Sequence, residues 1–309
     1  MKAALSATNS TLSLKTIFSE FKEVTKFRLS VSVVISSIAG YLLGLTEFNS
    51  SSWVTLVMLT VGGYCMVGAS NTFNQLIEKD IDLKMDRTKN RPIAAKRMSP
   101  TTGFIIGTLL TIAGLIILYN INSKTAMFGA ISIFLYVSVY TPLKTMTPLS
   151  VFVGAFPGAI PFMLGWVAAT GQFGIEAGTL FMIQFFWQFP HFWAIGWFLY
   201  DDYKKAGIFM LPNGKRDKGT AIQIIMYSFW TVLTSLIPVL GYYKPGILGR
   251  FYITPVSAVI VLGLGVWLII YAFKLYKKRE AKTARTLMLV SVSYITLLQL
   301  VYVLDKFIR

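Results

Sequence analysis

Apolar residues run along this chain in stretches of about 20, the length that crosses a bilayer as a helix, with short polar or charged connections between them. Such runs cover residues 29–46, 53–73, 103–121, 125–141, 150–169, 179–199, 220–241, 252–273 and 286–304. Only a polar break from Asn120 to Lys124 parts the third from the fourth. Ahead of them, residues 1–11 are small and polar without periodicity, which predicts disorder. Over residues 12–28 the apolar Ile17, Phe18, Phe21 and Val24 recur at helical spacing opposite Lys15, Lys22, Glu23 and Lys26, predicting an amphipathic helix lying on the membrane surface. The pattern therefore predicts an all-α polytopic membrane protein with nine transmembrane helices in one domain, residues 29–309.

Composition agrees: 55% of the 309 residues are hydrophobic and 14% charged, well beyond an ordinary soluble domain. A formal charge of +16 raises the question of nucleic acid, but its distribution answers it. With nine spans, 24 of the 29 Lys and Arg residues fall on the side of the N-terminus, and only Lys124, Lys244, Arg250, Lys306 and Arg309 lie opposite. That is the bias of a membrane protein whose N-terminus is cytoplasmic, with no role for nucleic acid. Cys65 is the one cysteine and lies in an apolar run, so no disulfide framework or thiolate metal site is expected. The start of the chain has neither a small-residue cleavage site nor an Arg-rich, acid-poor character, which favours a bacterial inner membrane.

Charged chemistry concentrates between the second and third spans, in NTFNQLIEKDIDLKMDRTKNRP from Asn71 to Pro92. Asn74, Glu78 and Asp82 recur every fourth residue, so on a helix each stands about 6 Å beyond the last along one face. Charges so spaced near a helix end are ordinarily a solvated, ion-paired face. Beside apolar spans, where acids are costly, a row of oxygen ligands instead suits Mg2+, which is held by one or two carboxylates together with substrate phosphates. Lys84, Arg87, Lys89 and Arg91 come directly after and could grip those phosphates.

Three further stretches carry polar groups. Tyr140-Thr-Pro-Leu-Lys144 sits at the same boundary, where Pro142 is expected to end the helix. Gly154, Gly158 and Gly165 of the fifth span permit close helix approach. The sixth span packs nine aromatic residues between Phe185 and Tyr200 around the only histidine, His191, and leads into Asp201-Asp202-Tyr203-Lys204-Lys205. His191 is open to three readings: an interior hydrogen-bonded group, a haem ligand or a proton acceptor. A transporter would place its charges near the bilayer midplane, whereas nearly all acids here lie at span ends.

The run Asn74-x-x-x-Glu78-x-x-x-Asp82-x-x-Met85-x-Arg87-Thr88-x-x-Arg91-Pro92 resembles the first signature of the UbiA superfamily of intramembrane prenyltransferases. PHFWAIGWFLYDDYKKAGIFMLP resembles the second signature of its protohaem IX farnesyltransferase (haem O synthase) branch, and Tyr140-x-x-x-Lys144 is similar to a third element, all in the expected order. The resemblance covers roughly residues 20 to 309. It implies a nine-helix bundle around a central cavity that opens towards the cytoplasm. It also implies a reaction: farnesyl diphosphate alkylates the vinyl group of haem B, water adds, and haem O and diphosphate result. The substrates are then farnesyl diphosphate and haem B, the cofactor Mg2+, and the surroundings the lipid bilayer. A partner in haem A synthesis or oxidase assembly is compatible with this.

By position, Asn74, Glu78 and Asp82 would bind Mg2+, and Asp202 with Asp201 would bind a second ion. Arg87, Arg91 and Lys144 would steady the departing diphosphate, Tyr140 would touch substrate, and His191 and Trp193 are the candidates for haem contact. The sequence departs from the pattern in three places. Glu78 stands where Asp is usual, the second signature lacks its later Asp, and Thr145 stands after Lys144 where Arg is common. The alternative within the superfamily is prenylation of an aromatic quinone precursor.

Overall fold

The computed structural model describes residues 14–309. The expected disorder of residues 1–11 and the first two residues of the surface helix lie outside the described residues. Regular structure is helical throughout among the described residues, apart from one isolated bridge between Gly246 and Gly249.

The long helices are α1 Leu14–Val24, α2 Phe27–Gly44, α3 Ser50–Ile77, α4 Pro100–Ile121, α5 Ser123–Phe134, α6 Ser150–Thr170, α7 Ile175–Phe198, α8 Lys218–Leu236, α9 Pro255–Lys278 and α10 Ala281–Ile308. Their starts are written in the sequence. The side chains of Asn49, Ser99, Asn122, Asp217 and Thr254 each accept a hydrogen bond from a backbone N–H of the first turn, and Pro100 and Pro255 stand where a missing N–H costs nothing.

Among the described residues eight helical segments are long and apolar enough to cross a membrane. They match eight of the nine expected spans. The remaining one, α7, is 24 residues long and packs against α6, α8 and α10, but Gln184, Gln188, His191 and its tryptophans lower its hydropathy and leave it outside that set. Its polar groups are tolerated because they turn inward: both glutamines are buried.

Packing keeps to chain order. Helices α2 to α6 form one half and α7 to α10 the other, and the halves join where α6 meets α7 and α10 meets α2. The closest approach is between α2 and α6. A Cβ on Gly165 would overlap the Ser37 carbonyl, and one on Gly40 the Phe162 carbonyl, so two glycines let these backbones touch. The core lies mainly along α6, α7 and α10, while Val256, Val259, Leu109 and Ile116 are among many large apolar side chains exposed on the outside. That inverted surface suits a lipid solvent.

A candidate diphosphate site at one end of the bundle

The ladder keeps its register although α3 does not run through it. Helix α3 stops at Ile77, and a single turn, Lys79–Asp82, comes after Glu78. The hydrogen bonds from Glu78 N to Asn74 O (3.0 Å) and from Asp82 N to Glu78 O (2.7 Å) bridge the break. Asn74, Glu78 and Asp82 therefore stay in line, and all three are buried.

Each ladder oxygen faces a cation. Lys26 Nζ lies 3.4 Å from Asn74 Oδ1, Lys144 Nζ pairs with Glu78 Oε1, and Arg91 Nη1 reaches both Asp82 carboxylate oxygens at 2.7 and 2.8 Å. Burial pushes the Asp82 carboxyl up, against the pull of Arg91. Desolvation likewise holds the Lys144 ammonium below its ordinary value, opposed by Glu78. For Lys26 desolvation lowers it further, helped by Arg91 and Lys144. Four basic groups crowding two buried carboxylates leave the cluster short of negative charge.

Apart from Asp82, these groups wall a cavity of about 330 Å³. Asn74, Glu78, Arg87, Arg91, Lys144 and Lys26 line its polar side. The rest of the lining is apolar and aromatic: Tyr136, Tyr140, Phe192, Phe198, Tyr203 and several aliphatic chains. Tyr140 sits on a π-helical segment, Leu135–Tyr140, that continues α5 and leads through Thr141–Leu143 to Lys144, so the helix runs a residue past Pro142. A π-helical segment shifts the register of the residues beyond it and recurs at functional sites. The Tyr140 ring lies 4.9 Å from Lys144 Nζ, and Gly154 opposite leaves no Cβ to displace it.

The second charged connection closes the cavity differently from what the motif implies. Asp201 is exposed and pairs with Arg216 at 3.0 Å, while Asp202 Oδ1 accepts the backbone N–H of Asp86 at 3.1 Å. Neither aspartate lines the cavity; Tyr203 does, as does Arg87. Asp86, to which no sequence motif gives a role, pairs with Lys89 and Lys205 at 2.8 and 3.0 Å, and those partners hold its carboxyl down at about 2. The two connections are thereby tied across the cavity mouth. Ile208 and Met210 of the same loop also line it, the chain being fixed where Phe209 N bonds to Lys144 O at 2.7 Å.

The haem candidates diverge. His191 Nδ1 lies 2.9 Å from Ser291 Oγ, and that hydroxyl donates to the Met288 carbonyl at 2.7 Å. The imidazole therefore donates through Nδ1, leaving a lone pair on Nε2. It stacks on Trp187 with centroids 4.6 Å apart. Trp193 instead packs on Phe189 and Tyr227, towards α8. Neither lines the cavity.

Among the described residues no group of three or more His, Cys, Asp or Glu side chains stands ready to hold a metal. The donor chemistry still fits Mg2+ bound jointly with phosphate. Asn74 and Glu78 present hard oxygens to the cavity, whereas Asp82 lies behind Arg91 and Asp201 faces outward.

Sequence reasoning missed three polar lining residues. Periodicity assigns Lys26 to a solvated helix face, yet the chain turns there in a left-handed conformation (φ 47°) and sends the side chain inward. Tyr136 precedes Tyr140 by four residues, the same spacing that marks the ladder, and Tyr203 comes directly after the aspartate pair.

The sequence matches the UbiA prenyltransferase family over residues 33–297. It is 67% identical over 305 residues to the protoheme IX farnesyltransferase of Flavobacterium psychrophilum, covering 99% of this chain and 100% of that protein. Among solved structures it resembles a digeranylgeranylglyceryl phosphate synthase, with a TM-score of 0.75, 16% identity, and coverage of 94% of this chain and 99% of the other. A UbiA homologue from Archaeoglobus fulgidus bound to DMAPP and Mg2+ aligns with a TM-score of 0.64 at 14% identity, over 90% and 98% of the two chains.

Proposed function

The chain belongs to the UbiA prenyltransferase family, and we propose that within it the protein is a haem O synthase that moves a farnesyl group from farnesyl diphosphate to the vinyl group of haem B, with addition of water. Identity of 67% to a protoheme IX farnesyltransferase along the whole chain carries the choice of acceptor. The cavity supports the donor half.

Ionising an allylic diphosphate separates an anion from a carbocation, so a catalyst must bind the first and shield the second from water. Lys26, Arg87, Arg91 and Lys144 bind the diphosphate as charge builds on it. Asn74 and Glu78, whose oxygens line the cavity, are the groups that would hold Mg2+. When bound, that ion supplies further charge neutralisation to the phosphate oxygens. The Tyr136, Tyr140, Phe192 and Tyr203 rings line the same cavity, where each ring can stabilise a cation by about 0.5 to 2 kcal/mol. Asp86 and Asp202 keep the two connections together. His191, its Nε2 unprotonated, and Trp193 stay the candidates for haem contact.

The site then faces the cytoplasmic side of a bacterial inner membrane, with α1, whose Leu14, Ile17 and Phe18 are exposed, lying on that surface. The acceptor is tested by measuring diphosphate release from farnesyl diphosphate. Release that depends on haem B supports the reading; release supported equally by an aromatic quinone precursor, with no response to haem B, refutes the acceptor.

A further inference from the structure

The end of the bundle away from the ladder holds a second concavity that prenyl transfer does not use. It has a volume of about 90 Å³ and lies between the last turn of α2, the loop before α9 and the end of α10. Arg250, Lys306 and Arg309 border it, and Trp166 and Phe251, with ring centroids 5.9 Å apart, form its apolar side. The sequence places only five Lys and Arg residues on this side, and three of them converge here from two separate segments.

Cations near a membrane boundary ordinarily reach for water singly. Three at one pocket repel one another unless something neutralises them, and Asp305 and Glu176, the acids that contact its residues, are mainly engaged elsewhere. Asp305 accepts hydrogen bonds from Thr254 N at 3.1 Å, from Thr254 Oγ1, and from Ser257 Oγ at 2.6 Å, and meets Arg309 Nε only at 3.8 Å. Glu176 takes the backbone N–H of Arg250, at 3.3 Å, rather than its guanidinium. Lys306 is fixed, its ammonium donating to the carbonyls of Leu42 (2.9 Å), Leu43 (2.7 Å) and Leu45 at the end of α2. The Arg309 guanidinium lies 3.5 Å over the Tyr252 ring, which orients it without neutralising it. Two guanidiniums with donors to spare and one fixed ammonium thus surround a small pocket.

We infer that this pocket binds a phosphate-bearing anion: Arg250 and Arg309 donate to its oxygens while Lys306 supplies a fixed charge. Basic pockets between membrane helices recognise anionic headgroups by this chemistry. Leu304, Phe307 and Ile308 are exposed along the adjoining end of α10 and provide an apolar flank. A phosphodiester lipid and free inorganic phosphate share the chemistry; the flank favours the lipid.

The test uses the whole protein in phosphatidylcholine nanodiscs, with phosphatidylglycerol titrated in and retained lipid counted by native mass spectrometry. The native chain is expected to retain phosphatidylglycerol preferentially. Arg250→Gln and Arg309→Gln should each weaken retention about fivefold, the effect of one charge at a membrane surface, while Lys277→Gln and Lys278→Gln at the other end leave it unchanged. Lys306→Gln is avoided because it uncaps α2. If millimolar inorganic phosphate displaces the lipid, or raises the melting temperature of the native chain and not of the two arginine variants, the anion site stands with a soluble occupant. Retention that is unaltered in the Arg250 and Arg309 variants overturns the inference. So does a native chain that shows no preference for phosphatidylglycerol and no response to phosphate, a result that requires no variant to fold.

Discussion

Arg91 grips both carboxylate oxygens of Asp82, at 2.7 and 2.8 Å, from a position where its own side chain lines the cavity and the aspartate does not. The aspartate is wholly buried. In this geometry Asp82 sets the direction in which Arg91 points, in addition to any part it takes in metal binding.

Asp82→Asn should therefore cost more than a ligand. Breaking one partner out of a buried pair leaves an uncompensated charge, worth about 3 to 5 kcal/mol. The expected outcome is a lower melting temperature together with a loss of diphosphate affinity that Arg91→Gln does not deepen. Additive losses in a double-mutant cycle would separate the two residues.

Lys26→Gln removes a cavity cation that no sequence motif marks. Helix α1 remains tied down by Arg97, which pairs with Glu20 and with Glu23 (2.8 Å), so the fold should survive. A charged hydrogen bond is worth about 1.5 to 3 kcal/mol, and the apparent KM for farnesyl diphosphate should rise accordingly, by about tenfold or more. An unchanged KM would return Lys26 to a packing role.

Asp86→Asn loosens the tie between the two connections. Its carboxyl is held at about 2, below the ordinary Asp value, so the tie is present at neutral pH and is lost only as pH falls through that depressed value. Hydrogen exchange at neutral pH should quicken around residues 84–90 and 200–210 in the variant. The parent should keep its protection at pH 4. Equal exchange in both proteins would show that the connections close without this residue.

Gly165→Ala drives a methyl group into the Ser37 carbonyl across the α2–α6 contact. Overpacking of this sort costs about 1 to 3 kcal/mol, read as a fall in melting temperature with catalytic constants preserved in the folded fraction. Gly178→Ala, where a Cβ meets nothing within 4 Å, is the control.

Much of the fold is legible in the chain because bilayer-length apolar runs leave little choice of architecture. The four-residue spacing of Asn74, Glu78 and Asp82 survives a broken helix because the i to i−4 hydrogen bonds persist across it. Direction is harder to read from sequence. Lys26 belongs by periodicity to a solvated face, but a left-handed turn at that residue redirects it. The Asp201-Asp202 pair reads as a ligand set, yet the short helix Tyr200–Lys205 points Tyr203 inward and engages both aspartates with Arg216 and the Asp86 backbone. Helix α7, expected from the sequence as a span, falls outside the eight helices apolar enough to cross a membrane, because its glutamines, histidine and tryptophans lower its hydropathy.

The central claim is tested most directly by the mass of the pigment after purified protein in lipid is incubated with haem B, farnesyl diphosphate and Mg2+. The account predicts a haem heavier by one farnesyl group plus water, formed only when the metal is present. Haem of unchanged mass, with an aromatic quinone precursor prenylated in its place, would contradict it.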